Sequence, residues 1–380
     1  MKNLNKEPKI RYCPECRTFL ESEKPKSKLI LPASAKRKVA HYDDPEDAYV
    51  AGQFALATLF GSKKAAEFCR DRGVEIKAAH STFDNEKGGY LVPEVMETAI
   101  IRLVEERGVF RRNSFVYPMG ADSVTIPRRS GGFTVYYPGE GKNLTASDLA
   151  LNQVKLAAKK AAILTAITSE LDENAVATLA SLITEEIAYA FAAAEDNEGF
   201  NGDGKSDFGG TVGLSNALQA GAIQNALSGN VSVATLDLQD FRSAIAKMLV
   251  LDGMTPVWYM HSTVYHNGAA RLMDAAGGNT SVEIAGGTVP MLLGFPVQFV
   301  QTMPSDVEIT TSTICAYIGD LRMASTFGTR RGVSIQSDGS VYFTSDQIAI
   351  RATQRYDINI HERGTATTSG PIVALRTAAS

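Results

Sequence analysis

Cysteine is scarce in this chain: four residues in 380, at positions 13, 16, 69 and 315, in no regular framework. That excludes a disulfide-stapled secreted scaffold and suits a reducing compartment. Long hydrophobic runs are missing as well; none reaches the roughly 20 apolar residues of a membrane-spanning helix, so no membrane partner is expected. The first residues are charged and polar, without the apolar centre of a signal peptide. Histidine is sparse, at 41, 80, 261, 266 and 361, and His361-Glu362 begins an HExxH pattern that is not completed. No serine lies in a GxSxG turn. The adjacent acids Glu185 and Glu186 do not face one another on a helix. With no catalytic constellation, the expectation is a protein that is not an enzyme and takes no cofactor.

Charge of one sign is also lacking. The formal net charge of −4 excludes attraction of the whole chain to nucleic acid. Its distribution is uneven, however. Residues 1–40 hold eleven Lys/Arg and four Glu, a net +7, which leaves −11 for residues 41–380. A basic arm on an acidic body points to contact with something negative, or simply to a solvated terminus.

Two short motifs suggest chemistry. Residues 199–206, Gly-Phe-Asn-Gly-Asp-Gly-Lys-Ser, match the phosphate-loop pattern GxxxxGK[ST], in which Lys205 would reach phosphates and Ser206 would hold magnesium. The context opposes it. A phosphate loop follows a buried strand and opens a helix, whereas this one follows a helical stretch, and Glu195, Asp196, Glu198, Asp203 and Asp207 would repel a triphosphate. Cys13-Pro-Glu-Cys16 is half of a zinc site; a tetrahedral site needs four ligands, and His41, Cys69 and His80 lie at no known finger spacing. Cys13 and Cys16 are therefore weak metal candidates.

Periodicity gives the organisation. Residues 1–45 are rich in Lys, Glu and Pro and read as an extended arm. Residues 46–72 read as helix, split at Gly61, and residues 80–89 as a polar linker before a body starting at Tyr90. A helix is expected from Pro93 to Arg107 with a stop at Gly108. Short β-like runs follow at Ser123–Pro127 and Phe133–Tyr137. The polar, glycine-rich stretch Tyr137–Asp148 and the alternating run Leu149–Ile167 complete a strand–tip–strand pattern. Ser169-Glu-Leu-Asp172 is a capping-box pattern. Behind it Val176, Leu179, Ile183, Ile187 and Phe191 recur at spacings of three or four, one apolar stripe on a helix expected over 172–197. Helix over Leu236–Leu251 and strand over Val257–Met260 are expected next, with another strand after Gly294. Finally, Ile348, Ile350, Ala352, Tyr356, Ile358 and Ile360 alternate with period two, interrupted once by Gln354, as a half-buried strand of an antiparallel sheet. The fold class is α+β.

The order of these segments resembles the major capsid proteins of tailed bacteriophages, which have the Hong Kong 97-like fold. Gly88-Gly-Tyr-Leu-Val-Pro93 is similar to that family's lead into the body. The helix ending in Glu195-Asp196, followed by Phe200-Asn-Gly-Asp-Gly204 and Gly213-Leu214, resembles its spine helix and the loop behind it. Gly294-Phe-Pro-Val297 with Met303-Pro304, Gly319-Asp320, Arg330–Val333 and the strand through Arg351 and Arg355 resemble its later strands. The ordered set covers roughly residues 85–375.

The resemblance implies an N-terminal arm (1–89), a peripheral domain in three pieces (90–130, 166–214 with the spine helix, and 335–380 with C-terminal strands), an extended β-hairpin loop (131–165) and an axial domain (215–334). It implies a shell protein whose partner is itself, in pentamers and hexamers, with portal and scaffold proteins, a decoration protein and non-specifically held double-stranded DNA as further partners. The place implied is the virion capsid, assembled in the host cytoplasm. Inter-subunit contacts are expected from the loop and arm, with Tyr137, Glu140, Lys142, Asn143 and Asp148 at the loop tip. Ser345-Asp346 stands where some relatives carry a cross-linking asparagine. Two other readings are an encapsulin-type nanocompartment shell, which shares the fold, and a nucleotide-binding enzyme using residues 199–206.

Overall fold

The computed structural model describes residues 49–50, 52–54, 57, 63–72, 78–81, 84–91, 103–104, 107–129, 135, 137, 151–168, 176–275, 281–284, 287–342 and 347–380. Residues 1–48 of the arm, with Cys13, Cys16 and His41, most of the helix expected at 93–107, the capping box at 169–172 and Ser345-Asp346 lie outside the described residues.

Two sheets organise the fold. The first has six strands: β1 (Ala78–Ser81), β2 (Asp84–Leu91), β3 (Phe115–Pro118), β6 (Lys159–Thr168), β13 (Ser325–Tyr342) and β14 (Gln347–Ile360). They run in the order β1-β2-β13-β14-β6, with β3 parallel to the other end of β13. The second has seven strands in the order β7-β15-β12-β8-β11-β10-β9. These are β7 (Ile223–Asn225), β8 (Val257–Met260), β9 (Ser281–Ile284), β10 (Gly287–Leu292), β11 (Phe295–Phe299), β12 (Ile314–Gly319) and β15 (Ile372–Arg376). A separate two-stranded hairpin pairs β4 (Ser123–Arg129) with β5 (Leu151–Ala157). The described α-helices of five or more residues are α1 (Lys63–Asp71), α2 (Val109–Asn113), α3 (Val176–Asn201), α4 (Leu238–Lys247) and α5 (Arg271–Ala275).

The alternating residues of β14 explain how α3 meets the first sheet. Ile350 and Ala352 are 3% and 1% exposed and share a core with Val333 and Ile335 of β13 and with Ile187 and Phe191 of α3. A period of two on the strand and of 3.6 on the helix turn both apolar sets inward. α3 has 26 residues, so it runs about 39 Å. A second core fills the interior between α4 and the seven-stranded sheet, with Phe241, Trp258, Val297 and Leu375 all buried. A third joins the two sheets. Phe200, near the end of α3, lies 5.3 Å from Phe110, 5.9 Å from Tyr259 of β8 and 5.9 Å from Tyr317 of β12, ring centre to ring centre. Phe327 and Tyr356 stack 5.4 Å apart in the same core.

Several sequence expectations change. The stretch 80–89 is largely strand rather than linker: β1 and β2 pair, and β2 continues onto β13 at Leu91↔Gln336. Polar side chains do not prevent this, because the ladder is made by backbone groups. Residues Val135 and Tyr137 carry no strand, against the run expected at 133–137. The hairpin arms are 123–129 and 151–157, not 131–165, because β6 leaves the hairpin and pairs with β14. α3 ends at Asn201 rather than 197, through Gly199. That glycine is required by packing: a Cβ there would lie 2.4 Å from the Phe110 ring. α4 is shorter than expected, capped by a box between Asp237 and Asp240. Within 335–380, β15 pairs with β12 and β7 and so belongs to the seven-stranded sheet. Within 215–334, the last residues belong to β13 of the other sheet.

Candidate assembly interface

The hairpin is built from two polar strands, so its stability depends on how its root is held. Seven residue pairs zip β4 to β5, from Ser123↔Ala157 to Arg129↔Leu151. Val154 and Leu156 turn inward and are buried, while Asn152, Gln153, Lys155 and Ala157 face solvent. Leu156 packs with Met119 over Gly328 of β13, where a Cβ would come within 2.7 Å of Met119 Sδ and 3.0 Å of Leu156 Cδ1. The glycine lets the hairpin root sit flat on the sheet.

Charge fixes the same root. Asp122 accepts from Arg330 Nε at 3.3 Å and from Arg355 Nη1 at 3.1 Å. The Ala157 amide donates to Asp357 Oδ2 at 2.7 Å, and Lys159 Nζ stands 3.3 Å from Asp357 Oδ1. Arg128 pairs with Glu362 and donates to the His361 carbonyl at 3.1 Å. His361 is held mostly neutral: burial first, then Arg128 and Arg363, push it down to about 4. Beyond this root the described tip residues are free of the body, Val135 at 73% and Tyr137 at 93% exposure. Glu140, Lys142, Asn143 and Asp148 lie outside the described residues.

Behind the hairpin, the end of α3 is tied in by a buried charge cluster. Arg111 of α2 donates through Nε to Glu195 Oε2 at 2.9 Å and through Nη2 to Glu195 Oε1. Gln354 Nε2 donates to Glu195 Oε1 at 2.8 Å. The one polar interruption of the β14 pattern is therefore a partner of Glu195. The Arg111 guanidinium also lies 4.7 Å above the Phe327 ring, a favourable cation–π position. Asp196 accepts from the Val109 and Phe110 amides at 3.1 and 2.7 Å, satisfying the exposed N–H groups that start α2. Burial pushes Glu195 up to about 7, against Arg111, and Asp196 up to about 6, against the two amides.

The remaining sequence candidates fall into place around this cluster. Val176 and Leu179 lie in the first turn of α3. Ile183 is partly buried against the core, and Ile187 and Phe191 are fully inside it. The sequence reading missed Arg111, Asp122 and Asp357, and took Glu195 and Asp196 as charges hostile to phosphate and as the end of the spine-like helix, without a partner for either. The usable signal was Gln354, a single polar residue inside an apolar period.

The 199–206 motif is not a phosphate cradle. Its first three residues are the last turn of α3, and no strand precedes it. Lys205 pairs with Asp203 at 2.8 Å. Gly202 serves backbone contact with the loop that follows: a Cβ on it would lie 2.6 Å from the Thr211 carbonyl, and one on Gly213 across from it would lie 2.5 Å from the Gly202 nitrogen. Among the described residues, no group of three His, Cys, Asp or Glu side chains is placed to hold a metal, and Cys69 is buried with its thiol raised by burial.

Comparison with known proteins agrees with this architecture. Residues 88–363 match the phage capsid family. The major capsid protein of Klebsiella oxytoca phage phiKO2 is 25% identical over 297 residues, covering 73% of this chain and 67% of that protein. The capsid of an empty GTA particle superposes with a TM-score of 0.56 at 16% identity, over 72% of this chain and 90% of that one. A chain of Mycobacterium phage Adephagia gives 0.53 at 17% identity, over 84% and 98%. An encapsulin from Synechococcus elongatus PCC 7942 gives 0.50 at 11% identity, over 70% and 85%. Identities this low establish a shared fold, and the family match supplies the rest. From Gly88 within β2 to Arg363 in the loop behind β14, this chain belongs to the phage capsid family and is a shell-forming capsid protein with the Hong Kong 97-like fold.

Proposed function

We propose that this chain assembles with copies of itself, as pentamers and hexamers, into a closed shell around double-stranded DNA in the host cytoplasm. The observation that carries the reading is the hairpin. It is clamped at its root by Asp122, Arg128, Asp357 and their partners, and exposed at Tyr137. A rigid root with an uncovered end is what a contact between subunits needs, since ordering costs are then met before binding. The six-stranded sheet with α3 forms the peripheral part of the subunit, and the seven-stranded sheet the axial part. The residues in contact with a neighbour are Tyr137, Glu140, Lys142, Asn143 and Asp148. Many modest contacts of this kind become strong when each subunit makes several at once.

The basic residues 1–40 are assigned to phosphate or to the acidic body of a neighbour. Phosphate contact would be blind to sequence and weakened by salt. Portal, scaffold and decoration proteins complete the set of partners. The test is electron microscopy and size-exclusion chromatography of the chain expressed alone and with its neighbouring genes, with and without residues 137–148. Closed particles from the parent and none from the deletion are the expected result. Intact particles from the deletion would remove the hairpin from the assembly contacts, and a parent that stays monomeric in both settings would overturn the shell reading. Particles filled with protein rather than DNA would favour the encapsulin alternative.

A further inference from the structure

We propose that the free edge of β6 is a homotypic contact, where two copies of this chain pair strand against strand across a two-fold axis at Leu164. The inference rests on the shell-forming reading and names one of its contacts. β6 ends the six-stranded sheet. One side of it pairs with β14 over ten consecutive residues without a register shift. Among the described residues no strand pairs with its other side. A row of backbone N–H and C=O groups is thus left facing outward, a ready template for another strand. Edges that must stay single are usually blunted by charge, proline or a bulge. Here the only charges are Lys159 and Lys160, both at one end, and the following Ala161–Thr168 has no charge, proline or glycine.

Side-chain packing is unfinished along the same edge. The core under α3 is sealed at Ile350, Ala352 and Ile187, yet Ala161, Ile163 and Ile183 at its β6 rim are only partly buried. On the other face Leu164 is 61% exposed, and Ala162 and Ala166 are exposed as well; Thr165, next after Ile163 on the core face, is also exposed. One more strand would complete the ladder and close the rim of the core.

A second copy is the occupant that a shell of identical subunits supplies, and the lysines set its orientation. A two-fold axis normal to the sheet makes the two β6 strands antiparallel and the contact isologous. Centred on Leu164, it sets Ala162 against the partner's Ala166, Ile163 against the partner's Thr165 and Lys160 against the partner's Thr168. The lysines of the two copies then stand at opposite ends, whereas a parallel arrangement in register would set them against each other, which is unfavourable. The two most exposed leucines meet at the axis and bury one another.

Three variants test this in a Cys13→Ser, Cys16→Ser background. Leu164→Cys should give disulfide-linked dimers on mild oxidation of assembled particles, because directly opposed cross-strand Cβ atoms lie about 4.5–5.5 Å apart. Val307→Cys, still more accessible at 85% exposure, should not. Leu164→Lys should keep the parent's thermal midpoint and lower the particle yield at least tenfold. Particles of Leu164→Cys without dimers, dimers from Val307→Cys in equal amount, or a parental yield from Leu164→Lys would each overturn the contact. If the parent forms no particles, that failure belongs to the assembly reading. Oxidation of the concentrated free subunit then decides the contact, and absence of the Leu164→Cys dimer overturns it.

Discussion

Replacing Arg111 with methionine should destabilise the subunit strongly at pH 8 and weakly at pH 5.5. Arg111 is 4% exposed and Glu195 is fully buried. Methionine keeps the volume and contact with the Phe327 ring but leaves Glu195 with Gln354 as its remaining side-chain donor in the cluster. Breaking a buried ion pair from one side costs about 3–5 kcal/mol, because the other charge is left without compensation. The carboxyl can escape by taking up a proton, and the pH dependence follows from that. In the parent Glu195 is already pushed up to about 7 by burial, with Arg111 opposing; removing Arg111 raises it further.

A folded-state pKa above the unfolded value means that the folded state binds more protons in between, so stability falls as pH rises across that window, by about 1.4 kcal/mol per pH unit. In the parent the fall ends near pH 7, while in Arg111→Met it continues above. The two proteins should therefore converge at pH 5.5, leaving a loss of about 1 kcal/mol from the cation–π contact. Urea titrations of the unassembled subunit, followed by far-ultraviolet circular dichroism at the two pH values, measure the difference. Equal losses at both pH values, or less than about 1 kcal/mol at pH 8, would refute the reasoning. Adding Glu195→Gln should recover most of the pH 8 loss, since a neutral side chain no longer needs the cation.

Three other outcomes are expected. Phe200→Ala removes the ring that touches Phe110, Tyr259 and Tyr317 between the two sheets; it should cost about 3–5 kcal/mol in the same denaturation assay. His361→Gln should remove one contribution to stability that is lost on acidification. His361 is held down at about 4, so the folded state binds fewer protons than the unfolded one from roughly pH 6.5 to 4, and at most about 3 kcal/mol is lost as pH falls through that range. The raised carboxyls of Glu195 and Asp196 slope the other way over much of that range, so both proteins should gain stability on mild acidification and the variant should gain more than the parent. Lys205→Ala should leave the thermal midpoint and particle assembly unchanged, and isothermal titration should detect no ATP binding to either protein; binding that needs Lys205 would revive the phosphate-loop reading.

Local pattern made much of this fold legible. The apolar stripe through Ile183, Ile187 and Phe191 and the period-two run from Ile350 to Ile360 each fix which face turns inward, because a helix and a strand repeat with different periods. The polar stretch between two alternating runs marked the hairpin, although the arm boundaries shifted by several residues. The 199–206 motif could be rejected from its neighbours alone, since a phosphate loop depends on a preceding strand.

What the sequence by itself determined is therefore the long helix, the hairpin and the alternating β14 strand, their order along the chain and, through the resemblance they form together, the class of protein. Only the tertiary structure decided which strands are neighbours. β6 continues directly from the hairpin arm yet pairs with β14, nearly two hundred residues away, and β15 joins β12 instead of the strand before it. It also decided what the buried charges do: Glu195 meets Arg111 and Gln354 from two distant segments. The physical reason is range. Periodicity and capping act over a turn or a few residues, whereas sheet order and buried ion pairs depend on which surfaces are closed against each other once the chain has folded.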